Sequence, residues 1–427
     1  MLHLFRTGII PLWLYTVGIL AEPHPPRASL LDLLQLNPPP PGIMQLWQSS
    51  LTRYAQQGFS AQAQGMWLQT QDQLWVSHNA LNPLPAASLT KTATTLAVLK
   101  TWGPDHTFVT EVRATGPVVN GVLQGDLVMV GGGDPLFVGP EALSVGHSLN
   151  QMGVLQVSGD LIIVGAFSMD FLTDPIQAGE RLRQGFQGQI YPSAEENRYT
   201  TPPARNISSA LDIQGSVRWT AVPPQSQLLL RHSSLPLYAL LKQMNVNSNN
   251  ALAESFTAML GGVANIMAPV TASTGVSVKE INLLNGSGLG QENRLSPRAV
   301  VAILQGIQRE LTTHQMTLAD VFPVAKHDRG TIEDRPLPTA AIVKTGTLWN
   351  VSALAGVIQT QKRGPVWFTL INRGENIDGF RQTQDRLLQQ LTQALGAAPV
   401  AIPALRPSRV MPTLGDPQRN HLRPQSS

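Results

Sequence analysis

The sequence predicts an α+β fold, a helix-and-sheet body interrupted by a β-rich segment. Three observations carry this. Residues 88–102 and 235–260 have helical texture, and Leu387, Leu388, Leu391 and Leu395 form the buried stripe of a last helix closed by Gly396. From about residue 105, short stretches such as 108–114, 118–123 and 126–130 alternate or run apolar between glycines, which is the pattern of strands. Residues 341–343, 351–360 and 366–372 then read as strands of one sheet. The chain of 427 residues, 42% hydrophobic, is long enough for a large core and two domains.

In chain order, residues 1–21 carry one arginine, Arg6, and then an apolar run from 8 to 21. That run is short for a bilayer span but suits the apolar region of a signal peptide or N-terminal anchor, so export is expected. Residues 22–42 form a Pro-rich linker, stiffest at 38–41. A helix is expected at 43–56 and a hairpin at 64–70 and 73–77, with residues 82–87 leading into the Ser88 helix. Gly103-Pro104 ends that helix. The body therefore comprises 43–104 plus 236–396, and 105–235 is a β-rich insert with a helix at 143–152 and a strand at 157–164. Residues 186–224 are polar and dotted with proline. After the insert come a helix at 235–243, a polar turn at 245–250, a helix at 251–260 and a Gly/Asn-rich loop at 282–297. Ser296-Pro297 starts a helix with proline at its first position. Residues 397–427 read as a disordered Pro-, Arg- and Ser-rich tail.

Composition excludes several chemistries. A net charge of +3 with 13% charged residues, and no Lys/Arg stripe interleaved with aromatics, argues against nucleic acid. With no cysteine, there are no disulfides, thiolate nucleophiles or cysteine metal sites. The nine histidines are scattered without ligand spacing. Gly131-Gly132-Gly133-Asp134-Pro135 lacks the lysine and spacing of a phosphate cradle and reads as a tight turn. No metal or organic cofactor is implied.

Ser88 and Lys91 lie one turn apart at a helix start, so the amine can reach the hydroxyl beside free, electropositive N–H groups. That is an activated nucleophile or simply a polar first turn. Among seven lysines only Lys91 has a serine three residues before it. Ser-x-Asn occurs three times, and the copy at Ser248-Asn249-Asn250 precedes a helix. Those residues could merely cap that helix. Lys344-Thr345-Gly346 occurs once, opening a strand, where lysine could be an exposed edge residue. Each motif alone is ambiguous. The three in this order, each on the appropriate element, are far harder to reach by accident, and they form the signature of penicillin-binding proteins and serine β-lactamases.

The longer segments LNPLPAASLTKTATTLAVL, GVLQGDLVMVGGGDPLF, SNNALAE, NGSGLGQENRLSP, GTIEDR and KTGTL resemble the class C low-molecular-mass penicillin-binding proteins, the DacB-type D-alanyl-D-alanine carboxypeptidases/endopeptidases. The resemblance covers about 58–395 and is weak at 167–235. It implies a transpeptidase-like domain, an antiparallel sheet flanked by helices, split by an insert between the first and second motifs. It also implies roles. Ser88 corresponds to the acylated nucleophile and Lys91 to its base, with a pKa lowered by burial and by the Lys344 charge. Ser248 relays the proton to the leaving nitrogen, and the Asn250 amide holds Lys91 and the substrate. Lys344 keeps the site positive. Thr345 and Thr347 bind the terminal carboxylate, and Gly346 leaves room for the substrate to add as a strand. The N–H groups of Ser88 and Thr347 form the oxyanion hole.

The resemblance further implies an exported enzyme of the periplasm or cell envelope, acting on peptidoglycan stem peptides and covalently inhibited by β-lactams. Membrane association would come only through the N-terminal segment. Three departures touch side-chain recognition: Asn285 stands where the family usually has an acid, Gln291 where it commonly has arginine, and VGAFSMDF replaces the usual insert pattern, so Asp170 and Asp174 are not assigned to that pocket. The alternatives are a β-lactamase or esterase on the same scaffold, although no Glu-x-x-Asn deacylation signature is found, and a non-catalytic peptidoglycan-binding protein.

Overall fold

The computed structural model describes residues 39–189, 208–398 and 401–422. The export segment, most of the Pro-rich linker and the middle of the 186–224 stretch lie outside the described residues.

Helix α1 (Ile43–Gln56) is followed by the hairpin β1 (Gln64–Gln69) and β2 (Leu74–His78). A short β3 (Leu84–Pro85) and one 3₁₀ turn (Ala87–Leu89) lead into α2 (Thr90–Trp102). The insert contains β4 (Val109–Ala114), β5 (Val118–Val119), β6 (Val122–Leu123), β7 (Leu127–Gly132), α3 (Gly139–Gln151), β8 (Gln156–Val157), β9 (Leu161–Ala166), α4 (Pro175–Phe186), β10 (Asp212–Ile213), β11 (Val217–Trp219) and β12 (Gln227–Ser233). The chain returns through α5 (Leu237–Asn247), α6 (Asn250–Met259), α7 (Ala264–Thr274), β13 (Ile281–Asn282), β14 (Arg294–Leu295) and α8 (Pro297–Thr313). It ends with β15 (Ile342–Leu348), β16 (Val351–Thr360), β17 (Gly364–Arg373), α9 (Ile377–Leu395) and β18 (Asn420–Leu422).

The body is built on a five-stranded sheet in the order β15-β16-β17-β1-β2, every pair antiparallel. Its strands are buried on both faces, so the period of two sorts residues between two cores. On β16, Ala353, Ala355 and Val357 face the core shared with α2, α5, α6 and α8. Leu354 and Ile358 face the core under α1 and α9. The outer edge of β15 is bridged at Ile342 by Val324. Beyond that bridge the edge opens toward the Ser88 turn.

The insert is less purely β than expected. Its main sheet runs β11-β9-β7-β4-β12-β18, with β7, β9 and β11 parallel. Parallel neighbours require long crossovers, and α3 and α4 supply them. The first was expected. The second begins with the Asp174 carboxylate accepting from the Ile176 and Gln177 N–H groups ahead of Pro175, a start signal the polar surroundings obscured.

The tail expected to be disordered is instead folded at 401–422. Its order comes from tertiary partners rather than periodicity. The Ile402 N–H donates to Gln359 at 2.6 Å. The Ser408 N–H and hydroxyl donate to the Asp320 carboxylate at 2.7 and 2.8 Å. β18 then pairs antiparallel with β12 of the insert. Arg419 donates to the Glu141 carboxylate at 2.6 Å, and Asn420 donates to the Ser148 hydroxyl at 2.8 Å. The tail thus fastens the insert to the body.

Glu141 has a side chain only 1% exposed; besides Arg419 its carboxylate accepts from the Gly415 N–H at 3.2 Å and has His232 at 3.6 Å. Arg419→Met should therefore destabilise the protein by about 3 kcal/mol, because a buried carboxylate is left without its cation. Thermal denaturation beside wild type measures this, and an unchanged melting temperature would refute the fastening role.

Candidate active site

Ser88 lies on the 3₁₀ turn immediately before α2, rather than within the helix. Ala87 before it has φ of 48°, an unusual left-handed conformation for a residue with a Cβ, of the kind that gathers at functional sites. Two glycines hold this turn. A Cβ on Gly346 would meet the Ala86 carbonyl at 2.8 Å and the Ala87 Cβ at 3.2 Å. A Cβ on Gly288 would meet the Ala87 carbonyl at 1.9 Å. Gly346 therefore seats the serine turn against β15, in addition to any room it leaves for a substrate.

Helix α2 is buried from Thr90 to Leu99, so it carries Lys91 into the core with it. The Lys91 amine lies 3.0 Å from the Ser88 hydroxyl, 2.7 Å from Asn250 Oδ1 and 2.8 Å from the Ser287 carbonyl. Burial lowers its pKa to about 7, partly offset by the carboxylate of Glu254. The expected effect of Lys344 on Lys91 falls the other way round: burial and then the Lys91 charge hold Lys344 well below the usual lysine range. In the neutral state, two Lys91 N–H bonds satisfy Asn250 and Ser287, which turns the lone pair to the Ser88 hydroxyl.

The capping duty at α6 falls on Asn249, whose side chain accepts from the Leu252 N–H at 2.9 Å. Ser248 and Asn250 on either side are thereby released for the site. Ser248 closes α5 in the left-handed conformation, φ 55°, and accepts from the Lys344 amine at 2.9 Å. Lys344 is fully buried and also donates to the Thr345 carbonyl at 2.8 Å, so it is not an exposed edge residue.

All eight residues singled out in the sequence come together around one recess. Ser88, Ser248, Thr345, Gly346 and Thr347 line it, and Lys91, Asn250 and Lys344 stand behind them through the bonds above. The Thr345 hydroxyl donates to Thr331 at 2.8 Å, and Arg381 donates to the Thr347 hydroxyl at 3.1 Å.

Sequence reasoning missed Glu254. Its carboxylate accepts from the Ser287 N–H at 2.9 Å, bracing the loop whose carbonyl holds Lys91. The signal was its position one turn after Asn250 on the same helix face. Arg381 had no local signal. Asn285, replacing the family's acid, accepts from the Gly288 N–H at 2.8 Å and keeps the loop turn closed. Gln291 accepts from Arg373 at 3.2 Å. Asp170 pairs with Arg181 and Asp174 caps α4, so both have structural partners. Among the described residues no cluster of three or more His, Asp or Glu could hold a metal. What the arrangement can do is acyl transfer: a hydroxyl beside a near-neutral amine, with a second serine–lysine pair across the recess.

The sequence profile of the D-Ala-D-Ala carboxypeptidase 3 (S13) family matches residues 48–200 and 204–394. The D-alanyl-D-alanine carboxypeptidase DacB of Haemophilus influenzae is 26% identical over 395 residues, covering 69% of this chain and 81% of the relative. The D-alanyl-D-alanine carboxypeptidase of an Actinomadura species is 24% identical over 435 residues, 77% of this chain and 80% of the relative. Among solved structures, the penicillin G-acylated Bd3459 predatory endopeptidase of Bdellovibrio bacteriovorus superposes with a TM-score of 0.69 at 19% identity, covering 84% of this chain and 99% of that one. Penicillin-binding protein 4 of Haemophilus influenzae gives 0.57 at 20% identity, covering 77% and 96%. At these identities the two structures speak to the fold.

The space above Ala87 gives a direct test. Gly288→Ala adds a Cβ into the Ala87 carbonyl at φ 82°. The variant is expected to melt lower and to react more slowly at Ser88, read by intact-protein mass spectrometry with a serine-directed acylating agent. Wild-type reactivity would show that the turn is not held this way.

Proposed function

The chain belongs to the D-Ala-D-Ala carboxypeptidase 3 (S13) family and is a serine-type hydrolase of that activity, and from this premise we propose how its residues divide the reaction. The observation that carries the division is the Lys91 amine, closed off from water between Ser88, Asn250 and Ser287.

The stem peptide adds along the open edge of β15, as peptides add to exposed sheet edges. Ser88 Oγ attacks the carbonyl carbon of the penultimate D-alanine while its proton passes to Lys91 Nζ. The carbonyl oxygen becomes an oxyanion held by the N–H groups of Ser88 and Thr347. The carbon–nitrogen bond then breaks. Ser248 gives its proton to the departing D-alanine amine and is resupplied from Lys344, whose depressed pKa makes it a ready donor when protonated. Lys91 passes the proton it took to Lys344 by way of Ser248, restoring both amines; water then attacks the Ser88 ester, giving its proton to Lys91, which returns it to Ser88 Oγ as the ester bond breaks and the shortened peptide leaves. Asn250 keeps Lys91 aimed throughout, and Thr345 and Thr347 bind the terminal carboxylate. A cross-link is cut by the same steps with a larger leaving amine, so endopeptidase action on peptidoglycan needs no further group. Residues 1–21 direct the enzyme to the periplasm or cell envelope, where that substrate lies.

A fluorescent penicillin should label wild type and not Ser88→Ala, and digestion of a muropeptide pool followed by mass spectrometry should show loss of D-alanine. Absence of labelling would overturn the assignment. Labelling without loss of alanine or cross-links would indicate a binding protein, and rapid turnover of penicillin a β-lactamase.

The pH dependence follows from the base. Attack needs neutral Lys91, so the acylation rate should climb with pH through about 7 and level off above it. Glu254 raises the Lys91 pKa, so Glu254→Gln should move the midpoint to lower pH. Stopped-flow acylation rates across pH decide this; a midpoint near that of free lysine would remove Lys91 as the base.

A further inference from the structure

Lys242 is the only charged residue of α5, and it is buried on a helix whose neighbouring core residues, Leu240, Leu241 and Met244, are apolar. It has no part in the reaction steps above. Its amine has three protons and three acceptors: the Asp328 carboxylate at 2.6 Å and the carbonyls of Phe322 and Ala319 at 2.6 and 2.9 Å. The same Asp328 oxygen accepts from the Val324 N–H at 2.8 Å. Asn245, one turn on, donates to the Val321 carbonyl at 3.0 Å and to the Thr95 hydroxyl at 3.1 Å. The segment 319–328 thus grips the last two turns of α5. It then returns to the helix end: a Cβ on Gly330 would meet the Val246 carbonyl at 2.5 Å, and the Thr331 hydroxyl donates to that carbonyl at 3.3 Å. Two residues beyond Val246, Ser248 closes the helix and meets Lys344. A buried ion pair is often no more stabilising than apolar side chains of the same volume. What this pair supplies is position, because an amine with every proton engaged admits one placement of α5 against that segment.

We propose that Lys242, paired with Asp328, is a positioning residue for the proton relay: it sets the end of α5 so that the Ser248 hydroxyl lies between Lys344 and the departing amine. The inference rests on the relay reading of Ser248 given above. Its consequence depends on the leaving group. An amine departs only as it gains a proton, whereas a thiolate departs without one. Loosening the end of α5 therefore slows cleavage of an amide and largely spares a thioester, whose acylation needs only Ser88, Lys91 and the oxyanion donors.

The test compares two substrates with one acyl group: a peptide ending in D-Ala-D-Ala, and its thioester, in which sulfur replaces the departing nitrogen. Wild type, Ser248→Ala, Lys242→Met and the double variant Lys242→Met/Asp328→Asn are assayed on both, with melting temperatures recorded. The double variant removes the charge that Lys242→Met leaves without its partner, so a loss it shares does not come from a stranded carboxylate. On the amide, both Lys242 variants should lose about ten- to a hundredfold in kcat/KM, the scale of a slightly misplaced acid. On the thioester they should lose far less, and Ser248→Ala should show the same split. Equal losses on the two substrates, or no loss on the amide, in the Lys242 variants would overturn the positioning role. If Ser248→Ala itself shows no split, the relay reading fails and the positioning role with it.

Discussion

A lysine amine withdrawn from water is the constraint on which the catalytic region depends. Lys91 is fully buried because α2 is buried on every side, and a buried amine must find acceptors or surrender its proton. It does both. Its acceptors come from the turn before α2, from the start of α6 and from the loop at Ser287, three segments far apart in the chain. Its proton is held loosely, with a pKa brought to about 7. Lys344, also fully buried, repeats the device one strand away with Ser248.

The surrounding structure keeps these groups in register. The five-stranded sheet is packed on both faces, so β15 is fixed along its length while one edge remains open. Gly346 and Gly288 let the serine turn approach that edge more closely than any side chain would permit. Glu254 ties the Ser287 loop to the helix that supplies Asn250. Farther away, the insert is joined to the body by the returning tail, whose polar groups end on Asp320, Glu141 and Asn420's partners in α3. The rigid sheet and the glycine-seated turn together place a nucleophile, two amines and an open strand edge in one recess.

Much of this was legible because the chemistry is carried by short local patterns. Ser88 and Lys91 declare themselves by helical spacing, and Lys344 to Thr347 by the strand that carries the motif. The alternating cores of β16 and β17 follow from the period of two. The insert's α4 was hidden because its apolar face is thin and its surroundings polar, although Asp174-Pro175 marked its start. The tail read as disordered because it has neither period, and its order rests on hydrogen bonds to distant residues such as Asp320, on the turn after α8, and Glu141 of α3. Glu254 was readable in hindsight from its spacing to Asn250, whereas Arg381 has no local pattern at all.

The sequence by itself determined the reaction class: a serine, two lysines and a Ser-x-Asn turn in a given order admit little besides acyl transfer through a serine ester, because each group's reactivity belongs to its own side chain. Only the tertiary structure decided how those groups are tuned and what lies beside them. Burial sets the Lys91 pKa, Asn249 takes the capping role that frees Ser248 and Asn250, and the packing of α9 across the end of β15 brings Arg381 to Thr347. Desolvation and long-range contact are properties of the assembled core, and no local stretch of chain contains them.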